Sequence, residues 1–167
     1  MKARGFTLVE LLVVVSIVAL SIGLGLARLL KYQELGERAA VEQNVAAINT
    51  ALTLRFAAYV ISGNASGIEA DVGSNPVRFL ERAPQGYLGE LYAADPKTLP
   101  RASWYFDPAT GELIYLPARR WYLSSGVPPE TIHFRVALTA GRDEPGMPRE
   151  LRQPFITAHP PFVWQID

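Results

Sequence analysis

A single carboxylate interrupts an otherwise unionisable stretch of this chain. From Phe6 to Ala27 the only ionisable side chain is Glu10. At the centre of a bilayer helix a carboxylate costs roughly 2.5–3.5 kcal/mol on insertion scales, and less near the helix end, where Glu10 sits. The chemistry it offers is charge pairing: a buried acid is tolerated when a cation meets it and penalised when none does. Upstream, the short basic segment with Lys2 and Arg4 is joined to the apolar run by Gly5-Phe6.

Other chemistry-bearing residues are sparse. His133 and His159 lie far apart and lack metal-ligand spacing. His133 alternates with apolar residues in a strand pattern and is expected to face solvent; His159 precedes Pro160-Pro161 and reads as loop. The chain has 0 cysteines, so it offers no thiol nucleophile, disulfide or thiolate metal site. Asp143-Glu144, within Arg142–Gly146, supply two adjacent acids. Calcium takes roughly six to eight oxygens, so a solvated loop is expected there. Gly86-Tyr87-Leu88-Gly89 lacks both the phosphate-loop pattern and its basic residue. We therefore expect no catalytic residue, no cofactor and no metal.

Charge balance narrows the partners. Sixteen basic and 16 acidic residues give a formal net charge of +0. That leaves no global field to hold nucleic acid. Arg119-Arg120-Trp121-Tyr122 mix cations with aromatics, but so few read as an exposed strand edge or cation–π packing.

The elements that position Glu10 follow from hydropathy. About 20 consecutive apolar residues span a bilayer core as a helix, and the run after Phe6 qualifies. The helical pattern continues past it. Arg28, Lys31, Glu34, Glu37, Arg38 and Glu42 bring in charge, then Val41, Val45, Ile48, Leu52, Phe56 and Tyr59 recur on one face. That stripe is expected to be the core face of a globular head. Ser62-Gly63-Asn64 predicts the stop. Gly23, Gly25 and Gly36 weaken the helix, serving either local flexibility or close helix packing.

Residues 63–102 show no clear period, apart from a short helix predicted at Pro76–Arg82 behind Ser74 or Asn75. Trp104-Tyr105-Phe106 and Leu113-Ile114-Tyr115-Leu116, flanking a Pro/Gly turn, predict a hairpin. Thr131–Leu138 and Phe162–Ile166 predict two more strands. A helix against a small antiparallel sheet is an α+β head.

Conventional targeting signals would account for part of the N-terminus. One is a cleaved secretory signal, with Lys2 and Arg4 as its basic region and Ala19 or Ser21 near the cut. The other is a simple signal anchor. Neither gives Glu10 a role.

Gly5-Phe6-Thr7-Leu8-Val9-Glu10, behind a short basic leader and before a long apolar run, resembles the signal of type IV prepilins and type II secretion pseudopilins. The resemblance implies a pilin-like fold. It implies residues 1–5 as leader and 6–62 as the N-terminal helix, with 6–27 as transmembrane segment and filament core. Residues 63–167 would form a head with a variable loop and an antiparallel sheet. It also implies cleavage between Gly5 and Phe6 by a prepilin peptidase, which would methylate the Phe6 amine. Glu10 would then pair with that amine, in its own or a neighbouring subunit, and set axial register. The implied partners are other pilin-like subunits, the peptidase/methyltransferase and an inner-membrane assembly platform. The implied location is the inner membrane, single-pass, head in the periplasm, and later a filament. The proline many pilins carry where Ala27 stands is missing here. The alternative reading is a membrane-anchored or secreted periplasmic binding module with a conventional signal.

Overall fold

The computed structural model describes residues 6–64, 66–120, 123–124, 130–139 and 152–164. One helix dominates. Helix α1 (Leu8–Ser62) has 55 residues, so it is about 82 Å long. It runs unbroken through Gly23, Gly25 and Gly36, none of which has a neighbour within 4 Å of the position a Cβ would occupy. It ends where predicted. Gly63 takes the left-handed conformation at φ 71°, and its N–H caps the carbonyls of Tyr59 and Val60. A short helix α2 (Ser66–Asp71) follows, then a 3-10 turn at Pro76–Phe79 opened by Asn75. That turn stands where a short helix was expected, ending three residues earlier.

The head's main sheet contains strands β1 (Tyr87–Glu90), β2 (Ser103–Asp107), β3 (Glu112–Leu116), β5 (Ile132–Leu138) and β6 (Pro154–Ala158) in the order β1-β2-β3-β5-β6. Every pairing is antiparallel except β1 with β2, which is parallel. The predicted hairpin is β2–β3, and the predicted third strand is β5. Strands β1 and β6 were not anticipated. The strand expected at Phe162–Ile166 is β7 (Val163–Trp164), and it lies outside the main sheet. It pairs with β4 (Leu123–Ser124) in a separate two-stranded sheet. Thus the protein is α+β, with a long helix packed on a five-stranded, mostly antiparallel sheet.

The core forms where the helical stripe meets the sheet's inner face. Val41, Ile48 and Leu52 are buried against Trp104, Phe106, Leu113 and Tyr115 of the hairpin and Phe134 and Val136 of β5. Val45, also in the predicted stripe, packs at the edge of this cluster. The outer face of the hairpin is covered as well. Tyr105, Ile114 and Leu116 are buried beneath Leu91, Ala94 and Leu99. Being covered on both sides, β2 and β3 read as continuous apolar runs rather than alternating ones. Gly86 lets the loop cross close to β2: at φ 75°, a Cβ there would lie 2.7 Å from the carbonyl oxygen of Ala102.

Candidate functional site

The residues singled out by the sequence converge on the N-terminus of α1. Thr7 is the N-cap, with φ −80° and ψ 151°. Its hydroxyl accepts from the Glu10 backbone N–H at 3.2 Å. The Glu10 carboxylate reaches back and accepts from the Thr7 backbone N–H at 2.9 Å and from the Thr7 hydroxyl at 2.7 Å. This is a reciprocal capping box, which satisfies helix-end donors that have no partner within the helix. It also sets an acid at the positive end of the helix dipole. The sequence carries the signal for this cap, Thr-x-x-Glu ahead of an apolar run.

The box fixes where Glu10 points. Its carboxylate folds back toward the chain end, onto the nitrogen of the residue that follows Phe6. Phe6 itself is 71% exposed. Gly5, the other half of the expected cleavage site, lies outside the described residues, as do Lys2 and Arg4.

Among the described residues the apolar half of α1 is exposed along its length. In its most apolar eighteen-residue window 0% is buried. The two serines there close on the helix itself: Ser16 Oγ donates to the Leu12 carbonyl and Ser21 Oγ to that of Ile17, both at 2.8 Å. A spanning helix needs polar groups satisfied internally in this way. Its length, composition and exposure fit a membrane-anchored, single-pass chain.

The second half of α1 is bolted to the head by polar side chains, two of which, Glu34 and Glu37, belong to the charged stretch noted in the sequence. Glu34 is 1% exposed, and Trp164 Nε1 donates to its Oε1 at 3.0 Å. Glu37 Oε1 accepts from the Tyr115 hydroxyl at 2.8 Å and from the Ala118 N–H at 2.6 Å; its Oε2 accepts from the Arg119 N–H at 3.2 Å. Asn49 Oδ1 accepts from the Ile156 N–H at 2.9 Å. Arg55 donates to both oxygens of Asp71, at 3.0 and 2.9 Å, with Phe79 stacked on its guanidinium at 4.1 Å. Bidentate, ring-stacked arginine is a rigid clamp. Together these contacts fix the direction in which the apolar half leaves the head.

The remaining expectations resolve individually. His133 is not simply solvent-facing. Its Nδ1–H points at Glu112 Oε2, 2.8 Å away, and its Nε2 lies 2.9 Å from the Thr131 hydroxyl. The opposite strand partner of Glu112 on β5 supplies Arg135, which donates to Oε1 at 2.8 Å. Strand alternation did place His133 on the outer face, but a cross-strand acid was waiting there. Burial pushes the pKa of Glu112 up, while the bonds from Arg135 and His133 outweigh it and hold the carboxyl below its ordinary range. His159 is an exposed loop residue whose N–H donates to the His133 carbonyl. Among the described residues no three His, Cys, Asp or Glu side chains cluster to hold a metal. Asp143-Glu144 and Trp121-Tyr122 lie outside the described residues.

No curated protein and no solved structure matches the chain. Residues 1–26 match the family model of the prokaryotic N-terminal methylation motif, so the chain carries the signature of the prepilin-type signal found in type IV pilins and pseudopilins.

Proposed function

We propose that this chain is the precursor of a structural subunit, a minor pilin or pseudopilin, of a type IV pilus or type II secretion filament. The observation that carries the reading is the methylation motif over residues 1–26, set on a helix whose first half is apolar and unburied. In this reading a prepilin peptidase cuts between Gly5 and Phe6 and methylates the Phe6 amine. The precursor waits in the inner membrane with its head in the periplasm. An assembly platform then moves it into a filament alongside other pilin-like subunits.

The physical logic rests on Glu10. Cleavage leaves a cationic amine on Phe6, at the head of an apolar helix. Moving that helix from lipid into a protein core strips the remaining water, so an unmatched charge is strongly penalised. Glu10 is the only ionisable side chain in the run. Its carboxylate already lies at the helix end, held by Thr7. Pairing with the amine of a neighbouring subunit would set axial register more than raw stability.

Co-expression tests the reading. With a prepilin peptidase present, the membrane-bound chain should lose residues 1–5 and gain one methyl group. Without the peptidase it should stay full-length. Shortening that does not depend on the peptidase would contradict the reading.

A further inference from the structure

Helix α1 leaves its apolar run at a level that its own side chains mark. Leu29 and Leu30, 51% and 50% exposed, are the last apolar pair before Lys31. About 20 residues, Leu11 to Leu30, make about 30 Å of helix, the thickness of a bilayer's hydrocarbon core. Arg28 lies within the last turn of that span, where a long cationic side chain reaches out to the interface. Tyr32, just beyond it, is 67% exposed, an aromatic of the kind enriched where membrane meets water.

The head is attached close to that level. The Trp164 indole binds Glu34, and the backbone N–H groups of Ala118 and Arg119 bind Glu37. Counted along the helix from Leu30, these attachments stand about 6 and 10 Å further on. The polar headgroup layer is itself about 5–8 Å deep on each side of the core. A second link holds Arg120 nearby. The Leu123 N–H donates to its carbonyl at 3.4 Å, and Leu123 pairs with Trp164 between β4 and β7. The loop after β3, residues 117–120, therefore hangs at the lipid-proximal rim of the head.

Charges at this rim are sorted by sign. The acids are turned inward: Glu34 is 1% exposed, and the Glu37 carboxylate is occupied by three donors. Glu42, further along, pairs with Arg38 at 2.7 Å. The cations are not engaged in this way. Arg28 is exposed, and among the described residues no carboxylate pairs with Arg28, Arg119 or Arg120. A chain of formal net charge +0 thus turns a positive rim toward the bilayer.

We infer that this rim docks on anionic phospholipid headgroups, with Arg119 and Arg120 against lipid phosphates, so that the head leans on the membrane surface. The inference rests on the membrane-anchored reading and adds to it a partner and the residues that meet it. Charge complementarity and position together select the lipid. The anchor already delivers the rim to an anionic surface, and tethering makes the contact intramolecular, so a few cations suffice.

The chain has 0 cysteines, so one fluorophore can be placed on the full-length protein. Ala118→Cys puts it on the rim, and Thr110→Cys on the exposed turn at the opposite end of β3. Each chain is reconstituted in phosphatidylcholine vesicles, with or without phosphatidylglycerol, that carry a nitroxide quencher on the headgroup. With phosphatidylglycerol present, the label at 118 should be quenched and the label at 110 should not. Added salt should undo the quenching, because the headgroup attraction is screened. Arg119→Ser with Arg120→Ser should lower the ratio of docked to undocked heads roughly thirtyfold, which returns position 118 to the level of position 110. The backbone bonds of both residues stay in place in that variant, and its melting temperature should match wild type. Equal quenching at 118 and 110, equal quenching with and without phosphatidylglycerol, or quenching that survives salt or the double variant would overturn the inference. A chain that fails to float with the vesicles would overturn the membrane-anchored reading and this inference with it, so the two failures are distinguishable.

Discussion

The Glu37 carboxylate accepts a 2.8 Å hydrogen bond from the Tyr115 hydroxyl, joining residues 78 apart in sequence. Burial first, then this bond and the charge of Glu37, push the Tyr115 hydroxyl well above the ordinary tyrosine range. A group whose pKa rises on folding contributes stability that is complete below its unfolded value, about 10 for tyrosine, and lost as pH rises through its folded value. The helix–head joint should therefore loosen in alkali. Between pH 9 and 11 the wild-type head should lose stability faster than Tyr115→Phe, measured by denaturant unfolding. At pH 7 the variant should be weaker by about 1.5–3 kcal/mol, the worth of a hydrogen bond to a charged acceptor.

Glu112 should produce the opposite dependence on the acid side. Its carboxyl is held below its ordinary range by Arg135 and His133. A depressed pKa contributes stability present above the unfolded value and lost as pH falls through the folded one. Glu112→Gln should cost about 1–2 kcal/mol at pH 7 and flatten the decline in stability below pH 5. Thermal melts across pH 3–7 would check both parts. An unchanged acid limb in the variant would show that Glu112 contributes nothing to it.

Leu52 and Leu54 test the assignment of helix faces. Leu52 is 0% exposed and Leu54 68%. Leu52→Ala should destabilise the head by about 2–5 kcal/mol. Leu54→Ala should stay within about 0.5 kcal/mol, as surface changes generally do. Chemical unfolding of the head separates the two, and similar losses would mean that the face is misassigned.

Thr7→Ala removes the hydroxyl that caps α1 and anchors Glu10. An N-cap loss costs about 1 kcal/mol, here confined to the first turn, whose described residues are exposed. The head's melting temperature should not move. Filament incorporation should fall, and should fall further in Glu10→Ala. If Glu10→Ala subunits enter filaments as well as wild type, the register role is wrong.

The legible parts of this protein were those encoded locally. The stripe from Val41 to Tyr59 and strand β5 repeat every 3.6 or 2 residues within themselves, and the hairpin β2–β3 shows as two aromatic and β-branched runs around a Pro/Gly turn. Strand β1 did neither, because Tyr87-Leu88-Gly89-Glu90 contains a glycine and pairs in parallel with the next strand across a Pro-containing loop. Strand β6 opens on Pro154, which reads as loop until its edge position is known. Glu34 and Glu37 looked like solvated charges. Yet they sit seven and four residues before Val41, on the face that the stripe already defines. What hid them is that a buried acid is unprofitable unless a donor meets it, and their donors, Trp164 and Tyr115, come from far along the chain. The capping role of Glu10, by contrast, was fully local and readable from Thr7.

The central claim concerns the first residue of the mature chain. Mass spectrometry of the N-terminal peptide of the membrane-bound protein, taken from a cell with a prepilin peptidase, reads it directly. The expected result is a chain that begins at Phe6 and carries one methyl group on its amine. A mature chain beginning near residues 22–28, or an uncut chain that keeps Met1 to Gly5, would contradict it.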